Sequence, residues 1–99
     1  MRRKPKLEWS QAAREDLLAI VDYIGGNNPT ASQALKDEID TRVGALIDYP
    51  KRCAISKRAP GYRQLTVRRN YLVFYRLLPE DQPALIDVAA VVHARRQWP

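Results

Sequence analysis

Two stretches with apolar residues at helical spacing, separated by Gly25-Gly26-Asn27-Asn28-Pro29, constrain this chain more than any other feature. In the first, Leu17, Ile20, Val21 and Ile24 fall on one helix face, and Ser10 ahead of them offers a hydroxyl to a free amide of the first turn. The second opens on Asn28-Pro29, a favoured cap followed by proline at the first helical position, where no N–H is required. Its apolar face runs through Ala31, Leu35, Ile39, Val43, Leu46 and Ile47 and ends at Tyr49-Pro50. Helices linked so tightly fold back as an antiparallel hairpin, and each has one face to bury.

The rest of the chain supplies strands to cover that face. Pro5 to Trp9 alternates Leu7 and Trp9 with Lys6 and Glu8, the pattern of a half-buried strand. Tyr62 to Val67 reads as a second strand, Arg68-Arg69-Asn70 as a hairpin connection, and Tyr71 to Leu78, apolar on both faces except at Arg76, as a central strand. After the turn Pro79 to Pro83, Ala84 to Val92 places Ile86, Val88, Ala90 and Val92 on one face. Leu85, Asp87, Ala89, Val91 and His93 then share the other, which turns His93 away from the more apolar side. The expected fold is α+β: an N-terminal strand, a helix hairpin and a three-stranded antiparallel sheet, in the order β-α-α-β-β-β, as one domain over residues 1–99. A helix hairpin covers one sheet face, so the other is expected to stay open, gathering the strand arginines and the terminal segment from His93 to Pro99.

Charge is polarised along the chain. Residues 1–50 hold seven Lys or Arg and eight Asp or Glu, whereas residues 51–99 hold ten and three. Between Lys51 and Pro79 there are eight basic residues and no acid, a pattern that suits either an anion-binding patch or a solvated basic surface. Cys53 is the lone cysteine, which excludes an internal disulfide and suits a reducing cytoplasm, and no stretch reads as a signal peptide or membrane span.

Chemistry, if any, must come from the one histidine and the arginines around it. RNA cleavage needs a base at a 2′-hydroxyl, an acid at the leaving oxygen and cations on the phosphate. By residue type His93, Tyr71 or Tyr75, and Arg63 or Arg95 fit those roles, although a lone histidine at a strand end equally serves as a structural hydrogen-bonder. One His and one Cys cannot build a zinc centre, and no Gly-rich phosphate loop or activated nucleophile is readable, so neither a metal nor a cofactor is expected. Trp9 and Trp98 suit packing. Trp98, following Arg95-Arg96-Gln97, also suits a partner anchor. Arg14, Glu15 and Asp16 read as a solvated helix face.

Taken together, Trp9-Ser10-Gln11-Ala12-Ala13, Asp22-Tyr23-Ile24, Asn28-Pro29, Tyr62-Arg63-Gln64-Leu65, Tyr71-Leu72-Val73-Phe74-Tyr75-Arg76 and Val92 to Pro99 carry a likeness to a known family. Over nearly its whole length the chain resembles the ParE/RelE toxin superfamily of type II toxin–antitoxin systems. The resemblance implies a helix hairpin on an antiparallel sheet, growth arrest, and neutralisation by a cognate antitoxin, ParD-like or similar, in a hetero-oligomer.

Two positions that carry basic catalytic side chains in RelE-like ribonucleases are Leu65 and Leu72 here, whereas the Arg-x-Leu and Tyr-Leu-Val-Phe-Tyr-Arg strands are similar to ParE-like members. A ParE-like inhibitor of DNA gyrase is therefore the leading expectation, with Arg63, Arg76, His93, Arg95, Arg96 and Trp98 as target contacts and Leu17, Ile20, Arg68 and Arg69 as antitoxin contacts. The alternatives are a RelE-like ribosome-dependent mRNA endoribonuclease acting through Arg63, His93 and Arg95, and a non-toxic nucleic-acid-binding domain.

Overall fold

The computed structural model describes residues 3–99. Strand β1 (Lys6–Trp9) leads into helix α1 (Gln11–Gly25) and helix α2 (Pro29–Gly44), which ends in a 3₁₀ turn, Ala45–Ile47. Strands β2 (Arg63–Val67), β3 (Tyr71–Leu78) and β4 (Leu85–His93) follow. Both helix starts use the expected caps: Ser10 Oγ accepts from the Ala13 N–H at 3.0 Å and Asn28 Oδ1 from the Ala31 N–H at 3.0 Å. At the joint between the helices Gly25 earns its place sterically, since a Cβ there would meet Ser32 Oγ at 3.2 Å.

The sheet is larger than the expected three strands. Its order is β1-β4-β3-β2, with β1 joined parallel to β4 and the other pairs antiparallel, so β4 lies inside the sheet. Leu17, Leu35, Ile39, Val43 and Leu46 from the helices meet Leu65, Val67, Val73, Tyr75, Leu77, Ile86, Val88 and Val91 in the main core. Burial of each such aliphatic side chain contributes about 1.5–3 kcal/mol.

One irregularity in β4 reassigns its faces. Tyr75 pairs with Val88 but Phe74 pairs with Ala90, leaving Ala89 as the extra residue of a bulge. The bulge inverts the alternation beyond it. Ile86 and Val88 face the helices, as does Val91 after the bulge, whereas Ala90 and Val92 pass to the outer face. His93, paired with Tyr71, therefore lies on the helix side and not on the outer face as the unbroken alternation predicts.

The same region explains Asp16. Strand β1 stops opposite Val88, and side chains of the α1 start take over the β4 backbone: Ser10 Oγ donates to Ala89 O at 3.2 Å, and Asp16 Oδ2 accepts from the Val91 N–H at 3.0 Å. Asp16 is thus a sheet contact rather than part of a solvated face.

The outer face is not fully open either. Tyr62 and Trp98 close over Ala59, Leu72, Phe74 and Ala90 as a second small core. Trp98 stacks on Phe74 with centroids 4.6 Å apart and meets Tyr62 edge-on at 5.0 Å. The terminal segment is pinned as well by Arg58, whose guanidinium donates to Ala94 O at 2.7 Å. Within the 56–59 turn, Ser56 Oγ accepts from the Arg58 and Ala59 amides and donates to Gln64 Oε1.

Candidate functional site

The basic residues of the second half divide into those spent on structure and those left available. Arg63, 12 % exposed at its side chain, donates to both Glu80 and the Cys53 carbonyl, tying the 51–53 segment to the turn after β3. Tyr75 lies under the same segment and donates its hydroxyl to Pro50 O at 2.9 Å. Burial pushes the Tyr75 phenol well above its ordinary range, an effect that Cys53 reinforces and Arg63 opposes, so the hydroxyl keeps its proton. Arg76, on the outer face, pairs with Asp87 at 2.8 Å and lies over the Tyr62 ring, and that hydrogen bond holds its guanidinium protonated.

Arg68 and Arg69 form the tip of the β2–β3 hairpin with φ of 53° and 63°. Positive φ at consecutive central residues matches the right-handed twist of a hairpin, but for residues with a Cβ it costs on the order of 1–2 kcal/mol each. Two bonds to α2 hold the tip in that form: Arg68 Nε donates to Glu38 at 2.7 Å and Arg42 donates to Thr66 O at 2.7 Å. Arg69, the second residue of the tip, is exposed.

At this end of the sheet the chain brings together what the sequence kept apart. The Ala94 N–H donates to Asn70 O at 2.6 Å, so the hairpin tip carrying Arg69 abuts the start of the tail carrying Arg95 and Arg96. Among the described residues, none of these three arginines has an ion-pair partner. His93 meets the edge of Tyr71 with ring centroids 5.5 Å apart and accepts at Nδ1 from the Arg95 N–H, which leaves Nε2 to carry the proton. Beside them a groove of about 400 Å³ runs between α1 and the end of β4, lined by Ile20, Tyr23, Ile24, Tyr71, His93 and Arg96. A broader depression near Lys51 and Arg52 is also lined by Asp48 and Asp81, and its mixed charge selects no anion.

Of the residues singled out from the sequence, His93, Arg95, Arg96 and Ile20 gather at this end, next to Arg68 and Arg69. Leu17 does not: at 7 % exposure it belongs to the main core. Trp98 packs in the outer core, and Arg76 lies on the outer face. Arg63 on β2 is paired with Tyr75, whereas His93 is paired with Tyr71, four residues along β3, or roughly 14 Å at about 3.4 Å per residue. Arg63 therefore shares no site with His93 and Arg95. Leu65 is buried on the helix side and Leu72 on the outer side, each as core. The sequence marks Tyr23, 85 % exposed at the groove, only through the family likeness, and Asp16 only as part of a solvated face. An exposed tyrosine three residues after Ile20, within the span of the apolar stripe of α1, is the signal available for the former.

A helix hairpin on one face of a mixed four-stranded sheet is a fold this chain shares with solved toxin–antitoxin structures. Solved structures of the chromosomal ParDE toxin–antitoxin system from P. aeruginosa (TM-score 0.76, 23 % identity, 91 % of this chain and 96 % of that one) have this fold. So does the E. coli RelBE toxin–antitoxin complex (TM-score 0.63, 14 % identity, 93 % and 99 %). Toxin RelE2 of Caulobacter vibrioides is 31 % identical over 88 residues, covering 89 % of this chain and 93 % of the relative. Residues 7–98 match the ParE toxins of type II toxin–antitoxin systems, parDE, and the chain belongs to that family.

Proposed function

We propose that this chain is a ParE-like toxin that arrests growth in the cytoplasm by binding DNA gyrase, and that a cognate antitoxin of the ParD kind holds it inactive. The observation that carries this reading over a catalytic one is the position of Arg63, latched to Glu80 and Cys53 and four rungs away from His93. A nuclease site needs its acid, base and phosphate clamp within hydrogen-bond reach of one substrate. Binding needs only a contiguous surface. His93, Arg95 and Arg96 provide it at one end of the sheet, and Arg76 with the exposed part of Trp98 adds a second patch on the outer face. The antitoxin path runs over Ile20 and the hairpin arginines Arg68 and Arg69. Among the described residues no helix is long and apolar enough to cross a membrane.

Expression of the chain alone should stop growth and produce gyrase-dependent DNA breaks with mRNA intact, and co-expression of the antitoxin encoded beside it should restore growth. Cleaved mRNA in a translating extract, with unbroken DNA, would overturn the gyrase reading in favour of a RelE-like endoribonuclease. The one observation on that side is the close grouping of His93, Tyr71 and the tail arginines.

A further inference from the structure

We infer that the groove between α1 and the end of β4 is an anchor site for an extended antitoxin segment in which an apolar side chain is followed by a carboxylate. This rests on the toxin reading above and assigns a place and a chemistry to the partner. Ile20, Ile24 and Tyr71 give the groove an apolar floor, and Tyr23 stands at its rim almost wholly in solvent. A side chain inserted there exchanges water for these surfaces, the usual source of anchor affinity.

The charge around the groove selects the rest of the ligand. Arg96 lines it, and the backbone bond from Ala94 to Asn70 brings the segments carrying Arg95 and Arg69 to the same end of the sheet, all three arginines without ion-pair partners among the described residues. The acid in its wall is Asp16, whose carboxylate already accepts from Val91. A carboxylate on the partner therefore finds cations and little competition. The backbone adds a third contact. Because the Val91 N–H turns to Asp16, alternation along the strand turns the His93 N–H the same way, out from β3 and toward the groove. Consistent with that, Ala94, one residue on, donates back to Asn70 beside β3. No acceptor for the His93 N–H is present among the described residues, so an extended segment can supply a carbonyl to it. Occupancy would cover His93 and Arg96, two of the proposed target contacts, and neutralise by masking.

The test is titration of the protein encoded beside this gene onto the intact toxin, with backbone amide exchange followed in free chain and complex. The His93 amide should become protected in the complex. Arg96→Glu, at an exposed position, should weaken binding about tenfold or more, and Tyr23→Ala about three- to tenfold, the range of one or two lost contacts. Both results are required. A tight complex in which His93 exchanges as in the free chain, or whose affinity is unmoved by both substitutions, overturns the anchor site and leaves the toxin reading standing. Protection confined to α1 and α2 overturns it too, and points to a helix laid across the hairpin. If the adjacent protein does not bind the wild-type toxin at all, the functional reading itself fails.

Discussion

Replacing Trp98 by alanine removes the lid of the outer core, because the ring stacks on Phe74 at 4.6 Å and closes edge-on against Tyr62 at 5.0 Å. Truncating a fully buried Phe or Trp costs about 3–5 kcal/mol, and each aromatic pair accounts for about 0.5–1.5 kcal/mol beyond area. Trp98 keeps part of its surface in water, which places the expected loss at about 2–3 kcal/mol by the same scale. In a chain of this length that corresponds to a Tm lower by roughly 10–20 °C. Denaturant unfolding followed by far-UV circular dichroism measures the loss. Trp98→Phe, which keeps a stacked ring but loses volume, should recover more than half of it. A change below about 0.5 kcal/mol, the noise of surface substitutions, would refute the packed tail. If Trp98→Ala then abolished toxicity at unchanged stability, Trp98 would act at the target interface alone and not as a packing residue.

Three further outcomes follow from individual contacts. Asp16→Ala should cost about 1.5–3 kcal/mol, the range for a hydrogen bond to a charged group, with Asp16→Asn losing about half as much; equal stability of all three proteins by urea denaturation would show that Val91 is satisfied otherwise. Arg69→Gly relieves a positive-φ position and should stabilise the fold by about 1 kcal/mol while slowing antitoxin association at low salt, and a destabilised variant would contradict the strain assigned to the tip. Arg63→Lys should lose about 1–2 kcal/mol because an ammonium cannot bridge Glu80 and Cys53 as the guanidinium fork does, and wild-type thermal stability would sink the latch.

Where local chemistry decides, the sequence was enough. Ser10 and Asn28-Pro29 cap their helices as read, and strand limits from Lys6 to His93 agree with the alternation to within a residue or two. The face of His93 was not legible, because Ala89 and Ala90 are interchangeable in an apolar pattern and nothing in two alanines announces a bulge. The parallel place of β1 was hidden for a different reason: alternation reports which face is buried, not which strand lies alongside. Arg63 and Trp98 show the limit at the site. Both residue types are at home on interfaces, and only tertiary neighbours reveal that here one ties a loop and the other closes a core. The gathering of Arg69, Arg95 and Arg96 follows from the pairing of His93 with Tyr71 and the bond from Ala94 to Asn70, long-range contacts that no spacing encodes.

The inclusion of the first strand beside the last has a consequence for how the protein comes into being. The contact from Ser10 to Ala89 spans 79 positions, and β1 has its strand partner only in β4. During synthesis the helix hairpin can form early and α2 can meet the β2–β3 hairpin, yet Leu7, Trp9 and the sheet side of α1 lack their strand partner until β4 has left the ribosome. Long-range closure of this kind also slows folding relative to local pairing. A nascent toxin should therefore pass through a stage with helices formed, apolar flanks bare and its basic end unassembled. Limited proteolysis of stalled chains should find β1 cleavable until β4 emerges and protected afterwards. If so, the growing chain is harmless to its target at the moment when it is most available to a partner that covers apolar surface.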